Sequence, residues 1–414
     1  MVDEQFWAST LVSFELLHKI ALGTVIVRPE NDNGDHDGGR RLVHKASGHG
    51  PFGKLTQMGL FQMVEVGNRI RDELCSSSSS TCSSSTITTN NNDDAKDCFQ
   101  CHIWDLRTRP PHPKDIRILC TDFPRTIQSV QGLLVGLFPD GIPKGQIIPI
   151  DCRHTNWMIP DPQPRRSKEQ EELEWQLATR PYMQQREHDM LPLAIRCTNA
   201  LRPMLGKGAF EISFGVGEPD TATAAASHGT EAELQQQRPL PWAQLAEITK
   251  CLKVRNRLPP EITPEDQRAI MDHTAWRWFE SLRDARLIHL VMHKFATEIL
   301  HSMRHYTNEP PLVIYSGHDS TLIALLCVFR LEQPSVWPEY GSYLKIELLE
   351  VTDADIDNIN NEEDDPSEKE KDYVVRFFLN GQLLRSNWDG EPQDMIPLHV
   401  LAHNIKTVGA IKAN

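Results

Sequence analysis

The densest run of reactive side chains in this sequence is Ser316-Gly317-His318-Asp319-Ser320-Thr321. It separates two apolar stretches of different period. Leu312-Val313-Ile314-Tyr315, ahead of it, is short and β-branched, as suits a buried parallel strand. Behind it Leu322, Leu325, Leu326 and Phe329 recur at three- and four-residue spacing, as in a helix. His318 and Asp319 therefore fall in a tight turn at a helix N-terminus, where backbone N–H groups and the helix dipole attract an anion. A His beside an Asp at such an end can bind a phosphate and donate a proton. The same pair also suits a purely structural part, with Asp319 as N-cap and His318 as a polar turn residue.

A second strand–turn–helix pattern precedes it. Ile116 to Cys120 reads as a strand and leads into Thr121-Asp122-Phe123-Pro124-Arg125-Thr126. A helix then follows, with Ile127, Val130, Leu134 and Leu137 on one side. Asp122 is a suitable cap and Pro124 suits the first turn. Arg125 thus lies where a cation opposes the helix dipole, at a cost of roughly several tenths of a kcal/mol that a bound anion would relieve. The alternative is an arginine bent into solvent. Cys98-Phe99-Gln100-Cys101-His102 matches the pattern of c-type haem attachment. A haem also needs an apolar pocket and a second axial ligand, so the motif is read as a loop edge, and no cofactor or metal is expected.

Around these groups, residues 5 to 22 suit one amphipathic helix, and Thr24 to Val27 a short buried strand ended by Arg28-Pro29. Thr56 suits an N-cap, followed by Met63, Val66, Ile70 and Leu74 on one helix face. From about 160 to 310 polar helical patterns take over, such as 167 to 185 and the face Leu287, Val291, Phe295, Ile299, Met303, interrupted by a loop near 217 to 240. Tyr343 to Leu348 and Tyr373 to Leu379 alternate as strands do. Residues 76 to 97, rich in Ser, Thr, Asn and Asp, and the acidic run 353 to 372 bury too little to offset their ordering entropy. Both are expected to be disordered and dispensable inserts.

The chain has 414 residues, enough for a large core or two domains, and 43 basic against 57 acidic side chains, a formal charge of −14. That balance argues against a nucleic-acid or anionic-membrane partner. No apolar run approaches the ~20 residues that span a bilayer. The acidic start, Met1-Val2-Asp3-Glu4, is a poor signal peptide, and the nine scattered cysteines suggest a reducing compartment, cytoplasmic by default.

Four blocks, in this order, resemble the histidine acid phosphatases, branch two of the histidine phosphatase superfamily. Gly53-Lys54-Leu55-Thr56-Gln57-Met58-Gly59 is similar to the family's G-x-L-T-x-x-G segment. TDFPRTIQSVQGLLVGLF, residues 121 to 138, is similar to its second phosphate-site motif, and residues 316 to 321 to its H-D motif. Trp337-Pro338-Glu339-Tyr340-Gly341-Ser342 is similar to the W-P-x-Y segment that follows, and Asn380-Gly381 also fits. Within the family, GLFQM and LLVGLF are similar to lysophosphatidic-acid-phosphatase-like members. The resemblance implies an α/β fold of phosphoglycerate-mutase type, with a mostly parallel sheet flanked by helices. Residues 1 to 160 and 310 to 414 would form the core, and 161 to 309 an inserted helical cap. It implies hydrolysis of a small phosphate monoester, a lysophospholipid phosphate being one such substrate, through a phosphohistidine. Arg125 would then be a clamp arginine, His318 a phosphate-contacting histidine and Asp319 the general acid.

The family's R-H-G-x-R-x-P signature is absent. Arg28 can stand at its first position, but Pro29 holds the nucleophile's place and Glu30 that of the glycine. His49-Gly50 ends no strand and lacks the downstream arginine. Two alternatives to an active phosphatase follow: a pseudophosphatase that binds a phospholigand or serves as a scaffold, or an incomplete product of a gene for an active enzyme.

Overall fold

In a computed structural model the described residues are 4–28, 54–76, 112–153, 157–158, 167–205, 239–332, 334–351, 373–388 and 390–407. Pro29 and Glu30, His49-Gly50, Gly53, the inserts 77–97 and 353–372, the Cys98–His102 motif and most of the 217–240 loop lie outside them.

Helices α1 (Glu4–Ser9) and α2 (Phe14–Ile20) replace the single helix expected over 5 to 22. The break comes where Leu11 bridges to Thr56 and the Ser13 hydroxyl accepts from the Leu16 N–H, capping a fresh helix. Strand β1 (Thr24–Val27) and helix α3 (Gln57–Ser76) follow, and β1 is not the buried strand its apolar run suggests: as an end strand of its sheet it leaves Val25, Ile26 and Val27 exposed. The Thr56 hydroxyl accepts from the Gly59 N–H, as its N-cap reading requires. Next come β2 (Ile116–Thr121), α4 (Pro124–Leu137) and β3 (Ile148–Arg153).

Strand β3 has no counterpart in the sequence reading. Its Ile148, Ile150 and Cys152 are buried in alternation, but Pro149 and Asp151 between them disguise it. It carries much of the topology: with β4 (Leu312–Ser316) the order is β1-β3-β2-β4, all parallel. One face of this sheet packs Ile116, Ile118, Ile148 and Ile150 against Ile127, Val130, Leu134 and Leu137 of α4. On α4 rests α3, and there the backbones nearly touch. A Cβ at Gly67 would land on the Leu133 carbonyl oxygen, and one at Gly136 on that of Val64. Only glycine permits this approach.

Between β3 and β4 the described chain is helical: α5 (Lys168–Ala178), α6 (Pro181–Leu201), α7 (Trp242–Val254), α8 (Pro264–Leu282) and α9 (Ala285–Arg304). The pattern read over 167 to 185 breaks at Thr179-Arg180, because Pro181 can open a helix but not continue one. Phe295 of α9 meets Tyr315 of β4 edge to face at 5.3 Å, placing α9 against the parallel strands. Then α10 (Asp319–Val328) leads to an antiparallel sheet of β5 (Leu344–Glu350), β6 (Tyr373–Leu379), β7 (Gln382–Leu384) and β8 (Ile396–Pro397), and α11 (Leu398–Thr407) ends the described chain. Asn380 and Gly381, both at positive φ (52° and 85°), make the two-residue hairpin between β6 and β7. The fold is thus mixed α/β with a parallel sheet flanked by helices. Its longest continuous core joins α5, α8, α9, α10 and α11 to β6, so the helical stretch shares its interior with the elements after it.

Candidate functional site

All four parallel strands end on one edge, as open α/β sheets do where they bind ligands. On that edge the turn after β2 and the turn after β4 meet. Arg125 Nη2 lies 3.4 Å from His318 Nδ1, although the two residues are 193 apart in sequence. His318 Nε2 lies 3.0 Å from the Thr121 hydroxyl, the last residue of β2. Phe123 packs edge-on against the imidazole at 5.0 Å and carries the Arg125 guanidinium over its own ring at 4.8 Å.

The helix caps differ from their sequence readings. His318, not Asp319, is the N-cap of α10, and its N–H donates to the Thr321 hydroxyl at 3.1 Å. Asp319 stands in the first turn. Its Oδ1 accepts from the Ser320 N–H at 2.8 Å, and its Oδ2 from the Trp337 indole N–H at 2.9 Å. Phe123 is the N-cap of α4, which frees Asp122. Asp122 takes a two-pronged contact from Arg28, with Nη2 at 2.9 Å and Nε at 3.0 Å. Arg28 therefore reaches across the end of β3 to the same edge, with its charge already partnered and its side chain 56% exposed.

Because a guanidinium can only donate, the Arg125 contact makes His318 Nδ1 the acceptor and puts the imidazole proton on Nε2, toward Thr121. Burial, and after it the positive charge of Arg125, pull His318 down to about 3. The imidazole is consequently neutral over the ordinary pH range, with both nitrogens engaged. The folded-state pKa lies below the unfolded one, so this group's contribution to stability is complete above about pH 6.5 and declines as pH falls toward 3. Between about pH 7.5 and pH 5 that loss amounts to about 2 kcal/mol. Thermal melts of the wild type and His318→Gln over this range are expected to show a steeper decline in the wild type, since His289, lowered in the same direction, remains in both. Parallel curves would contradict the neutral, buried imidazole.

Two cysteines near this edge, Cys120 and Cys152, face each other in the β2–β3 register. Burial pushes their thiols up to about 11 and about 12. Neither is activated as a substitute nucleophile.

The sequence reading missed the groups that α7 adds. Glu247 is one of them: desolvation, and then the charge of Asp319, raise its carboxyl above the ordinary value, while Arg125 and Lys250 pull the other way. Lys250 is paired with Glu339 at 2.9 Å. Nothing in the local sequence of α7 marks these residues, since a Glu and a Lys three apart on a helix are usually a solvated pair. A groove of about 850 Å³, lined by residues such as Phe6, Phe61, Arg69 and Arg255, meets this region at Tyr340. Among the described residues no group of three or more His, Cys, Asp or Glu is arranged to hold a metal, and no helix is long and apolar enough to cross a membrane.

Residues 254–380 match the family model of the histidine phosphatase superfamily, branch 2. This window holds His318, Asp319 and Trp337 but neither Arg28 nor Arg125. Over 274 residues the chain is 23% identical to counting factor 60 of Dictyostelium discoideum, covering 64% of this chain and 54% of that protein. The chain thus spans about half the length of the curated relative it matches. Among solved structures it is similar to the phytase of Citrobacter braakii, with a TM-score of 0.52 at 14% identity over 93% of this chain and 96% of that one. The apo form of Hafnia alvei phytase gives 0.51 at 12% identity over 93% and 95%. These two likenesses carry the fold across both halves of the site, where the family model covers only the second. Over residues 254–380, which include its H-D turn, the chain is thus similar to the histidine phosphatase superfamily, branch 2.

Proposed function

We propose that this chain holds a phosphate monoester at the C-terminal edge of its parallel sheet and turns it over poorly. The observation that carries the reading is the 3.4 Å approach of Arg125 to His318, which joins two helix N-termini at one point. Arg125 offers N–H donors to the phosphoryl oxygens, and the first turns of α4 and α10 add backbone N–H groups. Arg28 assists while tied to Asp122. His318 holds Arg125 in place, its Nδ1 accepting the guanidinium's N–H, without competing for the anion. Asp319, oriented by Trp337 and Ser320, stands where a general acid would protonate the leaving oxygen. The stretch 161 to 309 acts as a cap over this edge and contributes Glu247 and Lys250. Lysophospholipid phosphates belong to the substrate class through the resemblance of GLFQM and LLVGLF.

The weak turnover follows from the residue after Arg28. Pro29 has no group able to accept a phosphoryl, and losing a covalent nucleophile costs many orders of magnitude in rate. This favours a second reading, a pseudophosphatase that binds a phospholigand. Calorimetric titration with inorganic phosphate, paired with single-turnover release of phosphate from p-nitrophenyl phosphate, tests both halves. The expected result is binding with almost no release. Fast release that disappears in His49→Ala would assign the nucleophile to His49 and overturn the poor-turnover claim, and absence of phosphate binding at any pH would overturn the site.

A further inference from the structure

Helix α9 and its C-cap carry histidines in two pairs at four-residue spacing, His289 with His293 and His301 with His305. That spacing sets two side chains on one helix face, one above the other. The rings of each pair accordingly lie close, with centroids 4.3 Å apart at 35° in the first and 4.0 Å apart at 34° in the second. The pairs differ in what their nitrogens do. In the first, both Nδ1 atoms are buried and have no hydrogen-bond partner. An ion bound through Nε2 would leave a proton on each Nδ1 with nothing to accept it. In the second, His305 Nδ1 lies 2.9 Å from the His301 carbonyl oxygen. A carbonyl can only accept, so the ring proton sits on Nδ1 and the Nε2 lone pair is free. A hydrogen bond of this kind is how proteins fix an imidazole as a metal ligand. The same carbonyl takes the His305 backbone N–H at 3.1 Å, which pins the residue to the last turn. His301 and His305 are both exposed.

We propose that His301 and His305 form a two-nitrogen chelate for a divalent transition ion of the nickel, copper or zinc class. Four-residue spacing is the one by which a helix presents two imidazoles to a single metal. Imidazole nitrogen suits these ions, whereas magnesium and calcium take oxygen ligands. No third His, Cys, Asp or Glu joins the pair among the described residues, so water completes the coordination shell. The carbonyls at the end of α9 carry the negative end of the helix dipole and favour a cation, which offsets part of the repulsion from Arg304 in the same turn. The chelate is separate from the phosphate site. His305 precedes β4 and His318 follows it, so the strand, about 17 Å long, lies between them. A bound ion would hold the last turn of α9 closed where the chain heads into β4.

Equilibrium dialysis of the full chain against nickel, with bound ions counted per chain, tests this beside thermal melts. The nine cysteines also take up such ions, so the readout is the difference between variants. His301→Ala and His305→Ala are each expected to bind one ion fewer than the wild type, because losing one of two ligands weakens the site by about 100-fold or more. The nickel-dependent change in thermal midpoint should shift by the same amount in both, in the direction of lost native-state binding. The double variant His289→Ala/His293→Ala should bind as many ions as the wild type. Both single variants replace exposed side chains, and circular dichroism checks that α9 is intact. An equal count in the wild type and His305→Ala would overturn the chelate. So would loss of the ion in the His289→Ala/His293→Ala variant alone, which would assign it to the other pair. Displacement of nickel by an equal concentration of magnesium would overturn the class of ion.

Discussion

Replacing Arg125 with alanine is expected to weaken phosphate binding by about 100-fold, or roughly 3 kcal/mol, the scale of a charge-assisted pair in a partly desolvated site. In the first turn of α4 the guanidinium opposes the helix dipole, but its loss also leaves the buried His318 Nδ1 without its donor and empties the face of Phe123, so a modest fall in thermal midpoint is expected. With that positive charge gone, His318 should titrate closer to its ordinary value. Arg28→Ala is expected to do much less to binding, about tenfold or under, because that side chain is largely exposed and already shares its charge with Asp122. Titration calorimetry of the two variants side by side gives the ratio. Arg125→Ala binding phosphate as the wild type does would remove the clamp assignment, even if the fold were intact.

The largest stability effect is expected from Gly136→Ala. The added Cβ would meet the Val64 carbonyl oxygen and the Asn68 backbone nitrogen, neither of which can swing away as a side-chain tip would. Helices α3 and α4 would have to separate along the crossing, opening contacts between α4 and the sheet beneath it. Overpacking of this kind costs about 3 kcal/mol or more where backbone must move. Arg71, whose guanidinium donates to the Gly136 carbonyl at 2.8 Å, would lose that contact as the helices part. Denaturant unfolding followed by circular dichroism measures the loss. Gly141→Ala serves as a comparison: it sits at positive φ but has open space around it, so only the backbone term applies. Similar small losses in both variants would show that the crossing can relax, and that its closeness is not required.

Both effects depend on pairs that sequence alone does not connect. Local order was legible where period and punctuation agree. The apolar face of α9 matches its sequence expectation closely, because burial imposes a period of 3.6 on the residues that face a core, whereas β4 forms where its β-branched run predicts but, as the end strand of its sheet, is half-buried at every position instead of buried. The resemblance blocks at 121–138 and 316–321 likewise pointed to one anion-binding edge, and those two turns do meet there. Strand β3 escaped notice, since Pro149 and Asp151 are tolerated only because neighbouring strands hold the segment in register, a cause outside its own sequence. The single helix read over 5 to 22 failed for the same reason: its break is set by the pairing of Leu11 with Thr56.

The site divides along that line. Chain order and side-chain chemistry alone set which residue types stand at the two strand–turn–helix junctions, and that Pro29 follows Arg28. Tertiary packing sets how those groups are charged and whom they touch. It ties Arg28 to Asp122, makes His318 a neutral acceptor for Arg125, fixes Asp319 with Trp337, and brings Glu247 from a helix more than seventy residues away in the chain. Protonation and ion pairing follow from distance and solvent exclusion, and both arise when separate elements pack, so neither is written in any local stretch of the chain.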